Sequence, residues 1–213
     1  LDTKNVKKAV DWYKKNRKNY KELTEKTASI IRKILKDNDI LYQSLESRTK
    51  DIKSFERKAR RDKYVDPQNE ITDLAGIRII TLFEKDVYNI SDLIKENFEI
   101  DYINSEDKSD LLDADRMGYK SVHYVAALSE KHLNIEKYSR FSGMVFEIQL
   151  RSILQHAWAE IEHDRNYKLQ GNLPRHLQRR FYSLAGMLEI ADREFNSLAE
   201  EVEKYKKVFR AEK

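Results

Sequence analysis

The sequence predicts an α+β fold in which helices flank a mixed, largely antiparallel sheet. Three observations carry this. The chain opens and closes on long segments with apolar residues at helical spacing. Between them lie short runs that alternate apolar and polar residues or are almost wholly apolar. The order is helices, then strands with one intervening helix, then helices again, which suits separate packing layers on one sheet.

Taken in order, the first helix is expected over Val6–Lys36. There Val10, Tyr13, Tyr20, Leu23, Thr27, Ile30, Ile31 and Ile34 form a stripe, with a break expected near Asn16–Asn19. A second helix is expected over Ser54–Arg61, with Ser54 as its N-cap. Asp66-Pro67-Gln68-Asn69 is a turn signal. Leu74–Phe83 (LAGIRIITLF) reads as an apolar strand, central in the sheet, with Arg78 as its one charge. Lys85–Phe98 is an amphipathic helix, Glu99–Asn104 a weaker strand, and Ser105–Met117 an acidic loop. Ser121–Leu128 (SVHYVAAL) is a further strand.

Gly143 then opens a strand with two distinct faces. Val145, Glu147, Gln149 and Arg151 lie on one, and Phe146, Ile148 and Leu150 on the other. At Ser152 the period changes to helical, with His156, Glu160 and His163 recurring at three or four residues. From Leu173 to Phe209 a last helix carries Leu177, Phe181, Leu184, Leu188, Ala191, Phe195, Leu198 and Val202 on one face.

Composition narrows the functional classes. Of 213 residues, 40% are hydrophobic and 37% charged, with only 5 Gly and 2 Pro, so exposed helix is expected rather than disorder. No cysteine is present, which excludes disulfides and thiolate metal sites and fits a reducing cytoplasm. No apolar run approaches the ~20 residues that span a membrane. The net charge of +4 is modest, and its distribution says more than its sum.

Four polar clusters punctuate the scaffold. In the first, RTKDIKSFERKARR, Lys58 and Arg61 share a helix face near a helix N-terminus, which suits a polyphosphate or simply a solvated basic surface. In the second, Asp73 precedes the apolar strand that carries Arg78. The two read equally well as a structural ion pair or as a Mg²⁺ ligand with a functional cation. In the third, Gly118 permits close backbone approach and Tyr119 offers a ring for stacking, beside Lys120 and His123. In the fourth, Glu147 is a candidate metal ligand or general base, and Arg151 a phosphate clamp. His156, Glu160 and His163 read as braces rather than a zinc site, and Trp158 as core.

In this order the blocks RTKDIKSFERKARR, ITDLAGIRII, GYKSVHY and EIQLRSILQHAWAEIEHDRNYK resemble the synthetase domain of the RelA/SpoT alarmone synthetases, in its compact form. The resemblance covers approximately Arg48 to Lys168, leaving helical segments at 1–47 and 169–213. It implies a nucleotidyltransferase-like fold and transfer of the β,γ-pyrophosphate of ATP to the 3′-hydroxyl of GDP or GTP, releasing AMP. It also implies roles. Arg48 and Arg78 would bracket the adenine, with Lys50, Ser54, Lys58 and Arg61 on the phosphates. Asp73 and Glu147 would hold Mg²⁺, and Glu147 would take the proton of the acceptor hydroxyl. Tyr119 would stack on the acceptor base, and Lys120, His123, Gln149 and Arg151 would position the acceptor.

The paired-histidine hydrolase motif of bifunctional relatives has no counterpart here, so synthesis without degradation is expected. Some compact relatives instead pyrophosphorylate the 3′ end of tRNA or adenine nucleotides. The lysines of the first helix suit either an RNA backbone or ordinary solvation. A nucleotide sensor is disfavoured because both carboxylates are retained. The last helix's apolar stripe fits either a homo-oligomer or the chain's own sheet.

Overall fold

The computed structural model describes residues 3–107, 121–168 and 174–211. Its elements run in the order α1 (Thr3–Asp37), β1 (Ser44–Thr49), α2 (Ile52–Ala59), α3 (Pro67–Glu70), β2 (Ala75–Thr81), α4 (Glu84–Asn97) and β3 (Phe98–Asp107). There follow β4 (Val122–Leu128), α5 (Glu130–Leu133), α6 (Glu136–Ser139), β5 (Val145–Ser152), α7 (Ile153–Lys168) and α8 (Arg175–Ala211). The five strands form one sheet in the order β1-β2-β5-β4-β3, with β2 and β5 parallel and the other neighbours antiparallel. The α+β expectation therefore holds. The central strand is β5, however, and the apolar β2 lies one place toward the edge.

Alternation divides the sheet into two faces. Ile77, Ile79, Phe146, Ile148, Leu150, Tyr124 and Ala126 are buried. They share one core with Tyr13, Leu23, Ile31 and Leu35 of α1 and Val87, Ile90 and Ile94 of α4. Each fully buried Ile, Leu, Val or Phe among them contributes roughly 1.5–3 kcal/mol relative to exposure. The opposite face carries Arg48, Gly76, Glu147 and Val125 in one cross-strand row and Glu46, Arg78, Gln149 and His123 in the next. That face is the only part of the sheet rich in charge among the described residues.

Several expectations need correction. Helix α1 is continuous through Asn16–Asn19. Asn16 bonds back to the Trp12 carbonyl at 2.9 Å, and burial of Tyr13 and Tyr20 on either side outweighs the local preference for a break. Strand β1 falls in a stretch read from sequence largely as helical segment. Only Leu45 in SLESRT is apolar, and pairing with β2 makes it a strand. The Asp66–Asn69 turn closes into the single helical turn α3. Of the acidic loop, Ser105–Asp107 continue β3, and 108–117 lie outside the described residues. Gly143 precedes β5 with a positive φ of 74°, a conformation that L side chains rarely adopt.

Helix α8 packs on α7 and α4. Its stripe is split: Leu177, Phe181, Leu188 and Ala191 are half-buried, whereas Leu184, Phe195, Leu198 and Val202 are exposed. The buried Asp192 accepts a 2.5 Å hydrogen bond from the Ser152 hydroxyl, tying α8 to the end of β5. Among the described residues no helix is long and apolar enough to cross a membrane.

Candidate active site

The polar face of the sheet becomes a site because α2 and α7 stand at its margins. Phe55 and Ala59, one turn apart on α2, are both fully buried and dock that helix against α1. This delivers Lys58 and Arg61 to the cleft beside Asp73. β5 runs without a break into α7, which returns over β2 and brings Glu160 to within 3.3 Å of the Arg78 guanidinium.

Asp73, just ahead of β2, sits under two ammonium groups. Lys50 Nζ donates to one carboxylate oxygen at 2.5 Å and Lys58 Nζ lies 3.0 Å from the other. Burial opposes ionisation of Asp73, but the Lys50 hydrogen bond and the charges of both lysines outweigh it and hold the carboxyl below its ordinary range. Burial likewise disfavours the Lys58 ammonium, and Asp73 reverses the effect. Arg78 instead faces Glu160, with Glu46 at 4.0 Å. The structural Asp73–Arg78 pair open on sequence grounds is therefore not how these charges are satisfied.

Glu147, in the middle of β5, is held differently. The Gln149 amide donates to its carboxylate at 2.8 Å, and His123 Nδ1 approaches the same oxygen at 3.3 Å from β4. Burial again resists the charge, and the His123 and Gln149 contacts prevail, keeping this carboxyl also below its usual range. The charge of Asp73 pushes the other way, so the two carboxylates lie within electrostatic reach of each other. Two carboxylates with phosphate oxygens completing the shell are the donor set Mg²⁺ accepts, so the residues fit that ion. Among the described residues no group of three His, Asp or Glu side chains is placed to hold a metal without such help.

Three cavities meet at these carboxylates. One of about 210 Å³ is lined by Glu46, Arg48, Asp73, Gly76, Arg78, Glu147 and Gln149. Its two guanidiniums rise from neighbouring strands, and the Arg48 side chain lies over Gly76, where a Cβ would meet its Cγ at 3.7 Å. A second, of about 510 Å³, is cationic, lined by Arg48, Lys50, Ser54, Arg57, Lys58 and Arg61 with Asp51, Asp73 and His163. A third, of about 490 Å³, holds Lys58, Lys63, Tyr64, Glu70, Asn104, Glu106, His123 and Glu147. Asp73 borders the first two and Glu147 the first and third.

The structure thus brings together Arg48, Lys50, Ser54, Lys58, Arg61, Asp73, Arg78, His123, Glu147 and Gln149. Ser54 is not the helix cap: Asp51 is, accepting the Ser54 amide at 2.8 Å, so α2 starts earlier and ends at Ala59. The cationic character of this cavity comes from its Arg and Lys side chains. Arg151 is only 8% exposed and lines none of the three cavities, lying at the α7 end of the polar face. Tyr119 and Lys120 lie outside the described residues. His156 Nδ1 lies 3.8 Å from Glu160, too far for a hydrogen bond, so the hydrogen-bonded brace expected there is not formed at that atom, and burial with the nearby Arg78 charge depresses its basicity. Trp158 is core, its indole donating to the Phe181 carbonyl. The sequence reading did not single out Glu46, Tyr64, Asn104 or Glu106. For Glu46 a signal existed, since alternation along SLESRT sets it on the same face as Arg48.

Residues 47–172 match the family model described as a region found in RelA / SpoT proteins. The chain is 28% identical over 169 residues to the GTP pyrophosphokinase YjbM of Bacillus subtilis (strain 168), covering 78% of this chain and 76% of that protein. It superposes on the crystal structure of the small alarmone synthetase 1 from Bacillus subtilis with a TM-score of 0.73 at 24% identity, covering 91% of this chain and 99% of the other. A structure of the small alarmone synthetase 1 from the same organism bound to its product pppGpp matches with a TM-score of 0.68 at 25% identity, over 90% and 98% of the two chains.

Proposed function

The chain belongs to the RelA/SpoT family, and from that premise we propose that it is an ATP-dependent pyrophosphokinase that transfers the β,γ-pyrophosphate of ATP to the 3′-hydroxyl of GDP or GTP, releasing AMP. The observation that carries this reading is the meeting of three cavities at two ionised carboxylates, Asp73 and Glu147. The slot between Arg48 and Arg78 suits a flat adenine, since a guanidinium stacks on a π-face. The cationic cavity next to it suits the polyphosphate. The third cavity, on the far side of Glu147, takes the acceptor.

The residues then divide the chemistry. Asp73 and Glu147 would hold Mg²⁺, which when bound neutralises phosphate charge and polarises the phosphorus under attack. Lys50 and Lys58 exchange Asp73 for phosphate oxygens as ATP enters, so cationic charge is already in place where negative charge develops. Glu147 accepts the proton of the 3′-hydroxyl, and Gln149 and His123 fix the carboxylate that receives it. Glu160 and Glu46 orient Arg78. Tyr119 and Lys120 remain proposed acceptor contacts. Arg151, being buried, acts through the floor of the site rather than by reaching the acceptor.

ATP labelled on the γ-phosphate, incubated with Mg²⁺ and the protein, tests the acceptor when GDP, GTP, AMP and deacylated tRNA are offered in parallel. Label on the guanine nucleotides is expected. Label confined to tRNA or AMP overturns the guanine reading.

A further inference from the structure

Lys50 occupies the short step between the end of β1 and the N-cap of α2. Three hydrogen bonds hold its backbone there. Its amide donates to the Leu74 carbonyl at 3.0 Å, which ties it to the residue after Asp73. Its carbonyl receives both the Tyr13 hydroxyl at 2.5 Å and the Arg17 Nε–H at 3.2 Å. Tyr13 and Arg17 stand four residues apart on α1 and so share a helix face, which lets both reach one oxygen.

Tyr13 is fully buried, and its ring stacks on Phe55 with centroids 4.6 Å apart. Burial pushes its hydroxyl up to about 12, so it remains a donor at neutral pH. A phenylalanine would fill the same space without a polar atom to desolvate. The hydroxyl therefore serves the carbonyl it binds, and that carbonyl belongs to the lysine whose ammonium sits on Asp73.

We propose that Tyr13 and Arg17 are positioning residues of the pyrophosphate transfer, clamping the Lys50 carbonyl so that the Lys50 ammonium stays registered on Asp73 and on the incoming phosphates. The inference rests on the reading of the site given above. It extends the working machinery into α1, outside the 47–172 segment that the family model matches. The leverage is geometric, since a shift of about 1 Å in a positioning group is enough to cost on the order of 10²-fold in rate.

A double-mutant cycle tests it. Tyr13→Phe keeps the ring and its stack on Phe55 and deletes only the donor. It is expected to lower kcat about tenfold and to weaken binding of α,β-methylene ATP, measured by calorimetry, by about threefold. Arg17→Gln, at a half-buried position, removes the second donor and is expected to act in the same direction. In a Lys50→Met background both effects should vanish, because the clamp then has no ammonium to place. Lys50→Gln, which also lacks the ammonium, is the second background if Lys50→Met yields no folded protein. Equal losses in the Lys50-replaced and unreplaced backgrounds overturn the proposal. So does a lowered Tm with kcat and analogue affinity intact. If the unmodified protein transfers pyrophosphate to no acceptor, the functional reading falls alone, and the calorimetric half of the cycle still decides the clamp.

Discussion

Asp73 and Glu147 border the same cavity and are both held below the ordinary carboxyl range, yet by different kinds of partner. At Asp73 two fixed cations, Lys50 and Lys58, cancel the charge. At Glu147 an amide and an imidazole hold the carboxylate in place of two lysines. Burial works against ionisation at both. The difference teaches how one cleft assigns two roles to one functional group. A carboxylate under two lysines is a counter-ion ready to trade partners when phosphates arrive. A carboxylate held by an amide and an imidazole, with no lysine on it, keeps its oxygens for a proton.

The largest expected effect breaks the comparison at Glu147. Glu147→Gln should reduce transfer by about 10³-fold, within the range lost with a general base, while α,β-methylene ATP still binds within about threefold by calorimetry. Turnover near the unmodified level would remove Glu147 as the proton acceptor. At Asp73 the effect should fall on folding as well as on rate. Asp73→Asn leaves two largely buried ammonium groups without a counter-charge. Urea unfolding should therefore show a loss toward the lower end of the roughly 3–5 kcal/mol seen when a buried pair loses one partner. A loss under about 1 kcal/mol would show that the lysines do not depend on Asp73.

The same substitution has a pH signature. A carboxyl depressed on folding contributes stability that is present above its unfolded value, about 3.9 for Asp, and is lost as pH falls through the lower folded value. The unmodified protein should accordingly lose stability on acidification below about pH 4, and Asp73→Asn should flatten that part of the Tm–pH curve. The smallest effect belongs to the exposed Arg78–Glu160 contact. Glu160→Gln should change stability by less than about 1 kcal/mol and weaken the ATP analogue by about twofold.

What the sequence disclosed and what it withheld have physical causes. β5 was readable because period-two alternation survives burial on one face, and Glu147 and Gln149 stood out as polar guests on a central strand. Asp73 was readable from its place before an apolar run. Its partners were not, because nothing local says which of the many Lys and Arg side chains in 48–61 will meet it. That is decided when Phe55 and Ala59 dock α2. β1 was missed because a polar edge strand acquires its identity from the neighbour it pairs with. The cap of α2 was misassigned because Asp51 and Ser54, three residues apart, are both good cap residues, and only the backbone geometry chooses Asp51. Arg151 shared the polar alternation of Glu147, but it is buried at the end of β5 that runs into α7.

The central claim is that the two terminal phosphates of ATP move as one unit to a guanine nucleotide. Parallel reactions with ATP labelled at the α- or the γ-phosphate, with GDP as acceptor, test it most directly. The account predicts γ-label on the guanine nucleotide and α-label in AMP, in equal amounts. Recovery of the α-label in ADP would mean that one phosphoryl group moves rather than two, and would contradict it.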